Sequence, residues 1–428
     1  MTDFKLSRRT VLGTSALFAA ASALGGVPAL AATRLRLLWW GSQERADRTN
    51  KTVEAYKKAA PDVSIDGEFL GWNDYWTRLA TQVAGRNAPD LIQMDYRYVF
   101  EYARRGSLLA LDDYLGKSLK IEDFGKDNID SCRVDGKLYG VNLGVNSSAA
   151  FFDIGAWFDA GVPAPKHGMS WQQYFDNCVA FAKANKRKNF YASVDASGIE
   201  PSFELWLRQH GKSLYNDQGK LGYTAEDAAA WFQYWTDLRK AGGCVTADIQ
   251  ALDKLSIETN PLTTGYAATG FAHSNQFVGF QKLSKAKLGI APYPVKPDGK
   301  PGHYMKPSMM MSISAATASP DAAVAFVNFM VESTDAAQEL GVERGVPASA
   351  AMRDVVTPML DEPGQMVVDY IGKLSDLAGP LPPAPPKGAG EIAFSLQRIS
   401  QEVAFESSSP AEGGKQLVTE ANSILERA

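Results

Sequence analysis

Behind an apolar run near its amino terminus, the chain switches repeatedly between strand and helix periodicity. Arg34 to Trp40 has strand character and ends at Gly41, whereas Arg45 to Ala60 carries helical spacing through Val53, Tyr56 and Lys57 until Pro61 stops it. Val63, Ile65, Gly67 and Phe69 then alternate as in a second strand. Asn73 to Gly85 places Trp76, Leu79, Ala80 and Val83 on one helical face, with Asn73 as candidate cap. Asp90 to Asp95 reads as a short buried strand, and Val99 to Arg105 as a helix closed by Gly106. Strands that alternate with helices pair in parallel through right-handed crossovers, so the pattern predicts an α/β fold with a covered sheet.

The middle of the chain is more helical. Ser170 to Lys186, Pro201 to His210 and Thr224 to Ala241 have helical spacing, and Trp231 and Trp235 one turn apart read as core packing. Pro320 to Val331 is amphipathic, while Leu381 to Pro386 is an extended, proline-rich connector. No repeat of solenoid period is present.

The first 31 residues read as an export address. Lys5, Arg8 and Arg9 precede an apolar run from Val11 to Leu24, and Ala29-Leu30-Ala31 offers a small-residue cleavage site. The run is too short to span a bilayer core of roughly 30 Å. Ser7-Arg8-Arg9-Thr10-Val11-Leu12 resembles a twin-arginine signal with Val11 in place of the usual Phe; an ordinary secretory signal is the alternative. No cysteine follows the cleavage site, so a soluble periplasmic protein without a lipid anchor is expected.

Composition narrows the function. The 428 residues are 45% hydrophobic, 11% aromatic and 21% charged with net charge −4, which fits a globular chain of two domains and not a disordered or fibrous one. The acidic balance argues against nucleic acid or an anionic membrane as principal partner. Cys132, Cys178 and Cys244 are too widely spaced for a zinc or redox motif and read as buried small side chains. His167, His210, His273 and His303 are equally dispersed, so neither a metal nor a cofactor is expected.

An ordered series of landmarks then covers nearly the whole chain. It runs from Leu37-Leu38-Trp39-Trp40-Gly41 through Ala59-Ala60-Pro61-Asp62-Val63, Ala88-Pro89-Asp90-Leu91-Ile92 and Arg105-Gly106-Ser107-Leu108 to Asp135-Gly136-Lys137-Leu138-Tyr139-Gly140-Val141. It continues with Gly161-Val162-Pro163, Ser170-Trp171, Thr264-Gly265-Tyr266-Ala267-Ala268, Ala291-Pro292-Tyr293-Pro294, Ser319-Pro320-Asp321 and Gly345-Val346-Pro347-Ala348. In this order the landmarks resemble the extracellular solute-binding proteins of carbohydrate ABC importers, the family of maltose-binding protein. Asn142 departs from that pattern, standing where the family often has Pro.

The resemblance implies a two-lobed binding-protein fold with three hinge crossings, near Gly144 to Ser148, Gly270 to Gln276 and Ser312 to Ala318. It divides the chain into a signal (1–31), a first lobe from 32–145 and 273–315, and a second from 146–272 and 316–428. It also implies a monomer that binds a carbohydrate, delivers it to membrane permease subunits and catalyses nothing.

A sugar presents hydroxyl edges and apolar faces, so its site combines carboxylates, amides and aromatic planes at strand ends. Alternation sends Trp39 and Trp40 to opposite sides, and Trp40 is the one expected at the cleft beside Ser42, Gln43 and Glu44; burial of both is the alternative. Asp95 and Arg97 end the third strand, with Asp95 either a hydroxyl acceptor or a helix cap. Asn146 follows the first crossing, Glu200 and Trp206 flank a helix start, and His273 and Asn275 belong to a polar run. Lys306 and Ser308 precede a methionine-rich strand, while the resemblance brings Arg344 and Phe394 to the cleft, with a surface position as the alternative for Arg344. Arg97, Lys306 and Arg344 together raise the alternative of an acidic sugar held by cations.

The rival readings are a secreted carbohydrate-active enzyme and a periplasmic scaffold or chemoreceptor partner. No Gly-x-Ser-x-Gly elbow or His-Glu-x-x-His run supports the former. Gly388-Ala389-Gly390-Glu391-Ile392-Ala393 mimics a dinucleotide fingerprint but follows prolines, not a strand.

Overall fold

The computed structural model describes residues 33–374 and 376–427. The expected export signal lies outside the described residues.

β1 (Thr33–Trp40), α1 (Gln43–Ala59), β2 (Val63–Leu70), α2 (Trp72–Ala84), β3 (Leu91–Met94) and α3 (Tyr96–Arg104) follow the order read from the sequence. β1 pairs in parallel with β2 on one side and β3 on the other. Ser42 caps α1 by accepting from the Arg45 N–H, and Asp95 caps α3 by accepting from the Arg97 N–H. Both caps stand at the carboxyl ends of strands, where loops and helix starts converge.

After β4 (Val141–Asn142) the chain enters a second unit with β5 (Ser148–Asp153), α4 (Trp171–Ala184), α5 (Glu200–Gln209), α6 (Ala225–Lys240), β6 (Thr269–His273), α7 (Phe277–Leu283) and β7 (Leu288–Ala291). Its sheet has the order β7-β5-β6 and is antiparallel throughout. The chain returns with β8 (Met310–Ile313) and α8 (Pro320–Glu332) and ends with α9 (Ala389–Ala404) and α10 (Pro410–Arg427). β8 lies between β3 and β4 and is antiparallel to both, giving the first sheet the order β2-β1-β3-β8-β4. Within this sheet the parallel pairing expected from the sequence therefore holds for β1, β2 and β3 and not for β8, which comes back from the other unit without a crossover helix.

Each unit has its own core. Leu37, Ile92, Met310 and the α8 residues Phe326 and Val327 are buried together in the first. Trp231 and Trp235, fully buried, pack with Phe203, Leu396 and Leu417 in the second. Cys132, Cys178 and Cys244 are all buried and unpaired.

Two expected boundaries move. The sequence places residues 273–315 in the first lobe, yet β7 hydrogen-bonds to β5 in the second sheet, so the return comes only at β8. The sequence places residues 316–428 in the second lobe, yet α8 packs in the first core because its apolar face covers the sheet that β8 has just rejoined. The crossings shift accordingly. Gly270 to Gln276 stays within the second unit, since β6 pairs along its length with β5, and Ser312 to Ala318 stays with the first.

The first passage between units, at 143–147, falls where it was expected; the other two are at 305–309 and 341–346, and the three segments lie side by side. Val145 pairs with Pro307 on one side and exchanges backbone hydrogen bonds of 2.7 and 3.0 Å with Val346 on the other. The Ser308 N–H donates to the Gly144 carbonyl at 2.8 Å. Gly144 is required there, because a Cβ would stand 2.8 Å from the Arg344 carbonyl oxygen.

Candidate ligand-binding cleft

Between the two units lies a cavity of about 160 Å³, walled by residues from both. The first unit contributes Trp40 and Ser42 from the end of β1, Trp72 and Asn73 from the start of α2, and Asp95, Arg97 and Tyr98 from the start of α3. The second contributes Glu200, Phe271, His273, Asn275 and Tyr293, with Phe394 and Gln397 from α9. The crossings add Asn146, Lys306 and Ser308.

Trp40 stands in an aromatic cluster, with ring centroids 5.1 Å from Trp72, 5.2 Å from Tyr75 and 5.6 Å from Trp76. Trp39 points to the opposite face and stacks on Phe69, as strand alternation requires. Trp76 stacks in turn on Tyr98, centroids 3.5 Å apart. These mutual contacts fix the planes before any ligand arrives, so little rotamer freedom is left to lose on binding.

The charged wall residues are paired. Lys306 Nζ is 2.7 Å from Asp95 Oδ2, and Arg97 pairs with Glu200. The Arg45 guanidinium is bound by Glu343, 2.8 Å away and 1% exposed. Burial raises the Asp95 pKa, but Lys306 and Arg97 outweigh it and hold the carboxyl below the usual range. Both Asp95 oxygens are thus engaged, one with Lys306 and one in capping α3. Burial, with Lys306 and Arg97 nearby, pushes the His273 pKa down to about 3, so the ring is neutral.

Contacts across the cleft hold the two units together. Arg97 and Glu200 come from opposite units, and Asn73 Nδ2 donates to Gln397 Oε1 at 3.2 Å. At one rim the Gln43 N–H donates to Glu258 at 3.1 Å, and Lys282 pairs with Glu44. This is a closed arrangement.

Eleven of the residues expected from sequence line the cavity: Trp40, Ser42, Asp95, Arg97, Asn146, Glu200, His273, Asn275, Lys306, Ser308 and Phe394. Four do not. Gln43 opens α1 on its outer side and donates to Asp47. Glu44, one residue on, is turned toward Arg48 and Lys282. Trp206 is in the middle of α5, where helical geometry points it into the second core against Trp171 and Trp231. Arg344 is neither at the cleft nor at the surface: it is 2% exposed and donates to Gln93 and to Thr49. Trp72, Asn73, Tyr98, Tyr293 and Gln397 were missed. Trp72 and Asn73 carried a usable signal, since they follow β2 as Ser42 follows β1; Gln397, inside a helix remote in sequence, carried none.

Among the described residues, no group of three or more His, Cys, Asp or Glu side chains is placed to hold a metal ion. No helix among them is long and apolar enough to cross a membrane.

Comparison with known proteins places this architecture. The solved structure of an extracellular solute-binding protein family 1 member from Alicyclobacillus acidocaldarius is 33% identical, covers 92% of this chain and 98% of its own, and superposes with a TM-score of 0.64. The periplasmic oligogalacturonide binding protein of Yersinia enterocolitica, solved with saturated digalacturonic acid, is 22% identical over 92% of this chain and 99% of its own, with a TM-score of 0.83. A binding protein of Brucella abortus is 24% identical over 279 residues, which are 61% of this chain and 64% of that relative, so less than two thirds of its length is matched. The profile of the bacterial extracellular solute-binding proteins matches residues 51–360, and the chain belongs to that family.

Proposed function

We propose that this protein is the substrate-binding component of an ABC importer, which captures a sugar between its two units and presents the closed form to a membrane permease. The observation that carries the reading is the make-up of the cleft. Aromatic planes at Trp40, Trp72, Tyr98 and Phe394 stand opposite amides, hydroxyls and ion pairs drawn from both units and from the crossings. Apolar ring faces and hydroxyl edges require that mixture. The sugar-binding Yersinia relative of like fold supports it.

The mechanism is non-catalytic. Ligand enters while the units are apart, and contacts to both favour the closed state. A ligand shifts that balance only by its differential affinity for closed over open. Three crossings side by side permit a hinge motion of that kind. The amino-terminal signal, with its Arg8-Arg9 pair, would deliver the protein to the periplasm as a soluble monomer.

A thermal-shift screen against mono- and oligosaccharides tests the reading, since a ligand at a hundred times its Kd adds about 2.7 kcal/mol of stability. Binding should also make the scattering curve of the ligand-free protein more compact. Turnover of a bound sugar, or no shift with any sugar, counts against it.

A further inference from the structure

Asn146, 1% exposed, lies in the first crossing and lines the cavity. Its Nδ2 donates to Asn275 Oδ1 at 2.6 Å, and Asn275 Nδ2 donates to the Glu343 carbonyl at 2.9 Å. The relay has one direction only. A carbonyl can only accept, so Asn275 must give it the amide nitrogen and turn its oxygen to Asn146. Asn146 must then answer with its own nitrogen. Its Oδ1 is left buried without a partner. A buried acceptor left unsatisfied carries a desolvation cost, and a ligand that donates there recovers it.

The electrostatics of the wall point the same way. The charged residues lining the cavity are Arg45, Arg97, Lys306, Asp95 and Glu200, and each cation already has its own carboxylate, Arg45 through the buried Glu343. Arg344, the third cation that could have gripped an anion, is held in the interior. A ligand carboxylate would meet Asn146 Oδ1 as acceptor against acceptor, and would have to take a guanidinium or ammonium from an existing pair. The neutral imidazole of His273 adds no charge. A cavity of about 160 Å³ has room for on the order of ten waters, comparable to a single hexose ring.

We infer that the ligand is an uncharged sugar with one ring enclosed in the cavity, and that Asn146 selects it by accepting a hydrogen bond from one of its hydroxyls. This rests on the sugar-binding reading above and names the substrate class within it. It sets the ligand apart from the uronic acid held by the Yersinia relative.

The test is calorimetric titration of the exported protein with matched pairs: D-glucose against D-glucuronate, D-galactose against D-galacturonate, and their disaccharides. The expected result is that the tightest ligand is neutral and that its uronate counterpart binds at least about tenfold more weakly, for want of a free cation. Glu200→Gln, which frees Arg97, should narrow that gap: loss of the ion pair across the cleft weakens both ligands alike, whereas only the uronate gains a cation. Asn146→Leu should weaken the neutral ligand about tenfold, the cost of one buried hydrogen bond, with a far-ultraviolet spectrum like that of the parent. A uronate that binds more tightly than its neutral counterpart overturns the inference and leaves the sugar-binding reading standing. Binding of no sugar of either charge overturns that reading, and the inference with it.

Discussion

Arg97 on α3 and Glu200 at the first position of α5 form an ion pair across the cleft, with the Arg97 guanidinium over the Trp72 and Tyr98 rings. The pair joins units whose cores are separate, so its energy belongs to the closed state and not to either unit's folding. In an open molecule both charges regain water.

Arg97→Ala should therefore leave the unfolding midpoint of the ligand-free protein little changed while weakening closure. A charged hydrogen bond contributes about 1.5–3 kcal/mol, so ligand affinity should fall by about tenfold or more. The exchange Arg97→Glu with Glu200→Arg should restore part of it, the stacking on Trp72 being lost. Titration of the two variants decides; equal affinities in parent and Arg97→Ala would remove the latch.

Glu343 sits in the third crossing, 1% exposed, and accepts from Arg45 Nε through both carboxylate oxygens at 2.9 and 2.8 Å. Arg344 Nη1 lies 3.9 Å from the same carboxylate. Burial pushes the Arg344 pKa down to about 9 even though Glu343 pulls it up. Glu343→Gln leaves two interior guanidiniums without a counter-charge. We expect a loss of about 3–5 kcal/mol, read as a lowered denaturant midpoint.

Gly390 on α9 lies against Tyr98 of the other unit, where a Cβ would be 2.2 Å from the ring. Tyr98 has no room to retreat because Trp76 is stacked behind it. Alanine is the better helix former by about 1 kcal/mol, so Gly390→Ala should keep or improve the stability of α9 while forcing the units apart. Reduced ligand affinity with a larger radius of gyration is the expected signature. Unchanged scattering and affinity would show that the contact yields.

Phe394 is 38% exposed although it lines the cavity. Truncation there gives up little buried area, so Phe394→Ala should change the unfolding free energy by less than about 1 kcal/mol. If the ring stacks on the sugar, affinity falls while stability holds. A loss of stability without a loss of affinity would place Phe394 among packing residues.

His303 is 1% exposed, and its Nε2 accepts from the Tyr293 N–H at 3.2 Å. Burial, helped by Arg208 and His167, pushes its pKa down to about 3. Because the folded value is below the unfolded one of about 6.5, the unfolded chain holds the extra proton in between. Stability from His303 is thus full above about pH 6.5 and is lost as the pH falls toward 3. His273 acts in the same direction. Asp253, raised by burial to about 6, acts in the opposite one, losing stability as the pH rises from 3.8 to 6. His303→Gln isolates the first contribution. Denaturant midpoints from pH 7 to 4 should fall less steeply for the variant than for the parent, and parallel slopes would refute the assignment.

The elements of the first unit were legible because their signals are local: α2 and α3 present one apolar face, β3 is a short apolar run, and caps or breakers stand at several of the ends. Ser42, Asp95 and Pro61 mark boundaries by chemistry that acts within a few residues. The cleft was legible in part for the same reason: strand ends are local features, and Trp40, Asp95 and Arg97 follow from where β1 and β3 stop. Asp95 shows the limit. Its cap was foreseeable, but its bond to Lys306, 211 residues away, was not.

What the sequence determined by itself is the set of periodicities, the stops between them, the acidic and aromatic-rich balance, and the order of landmarks that identifies the family. What only the tertiary structure decided is which segments share a sheet and which charges meet. β7 remains with β5, and β8 inserts antiparallel beside β3, because pairing is settled by backbone hydrogen bonds between segments far apart in sequence. Arg97 met Glu200, and the buried Arg344 lies beside Glu343, because a charge buried without a partner is costly. Periodicity reports which face of an element is apolar; it does not report the partner across the cleft.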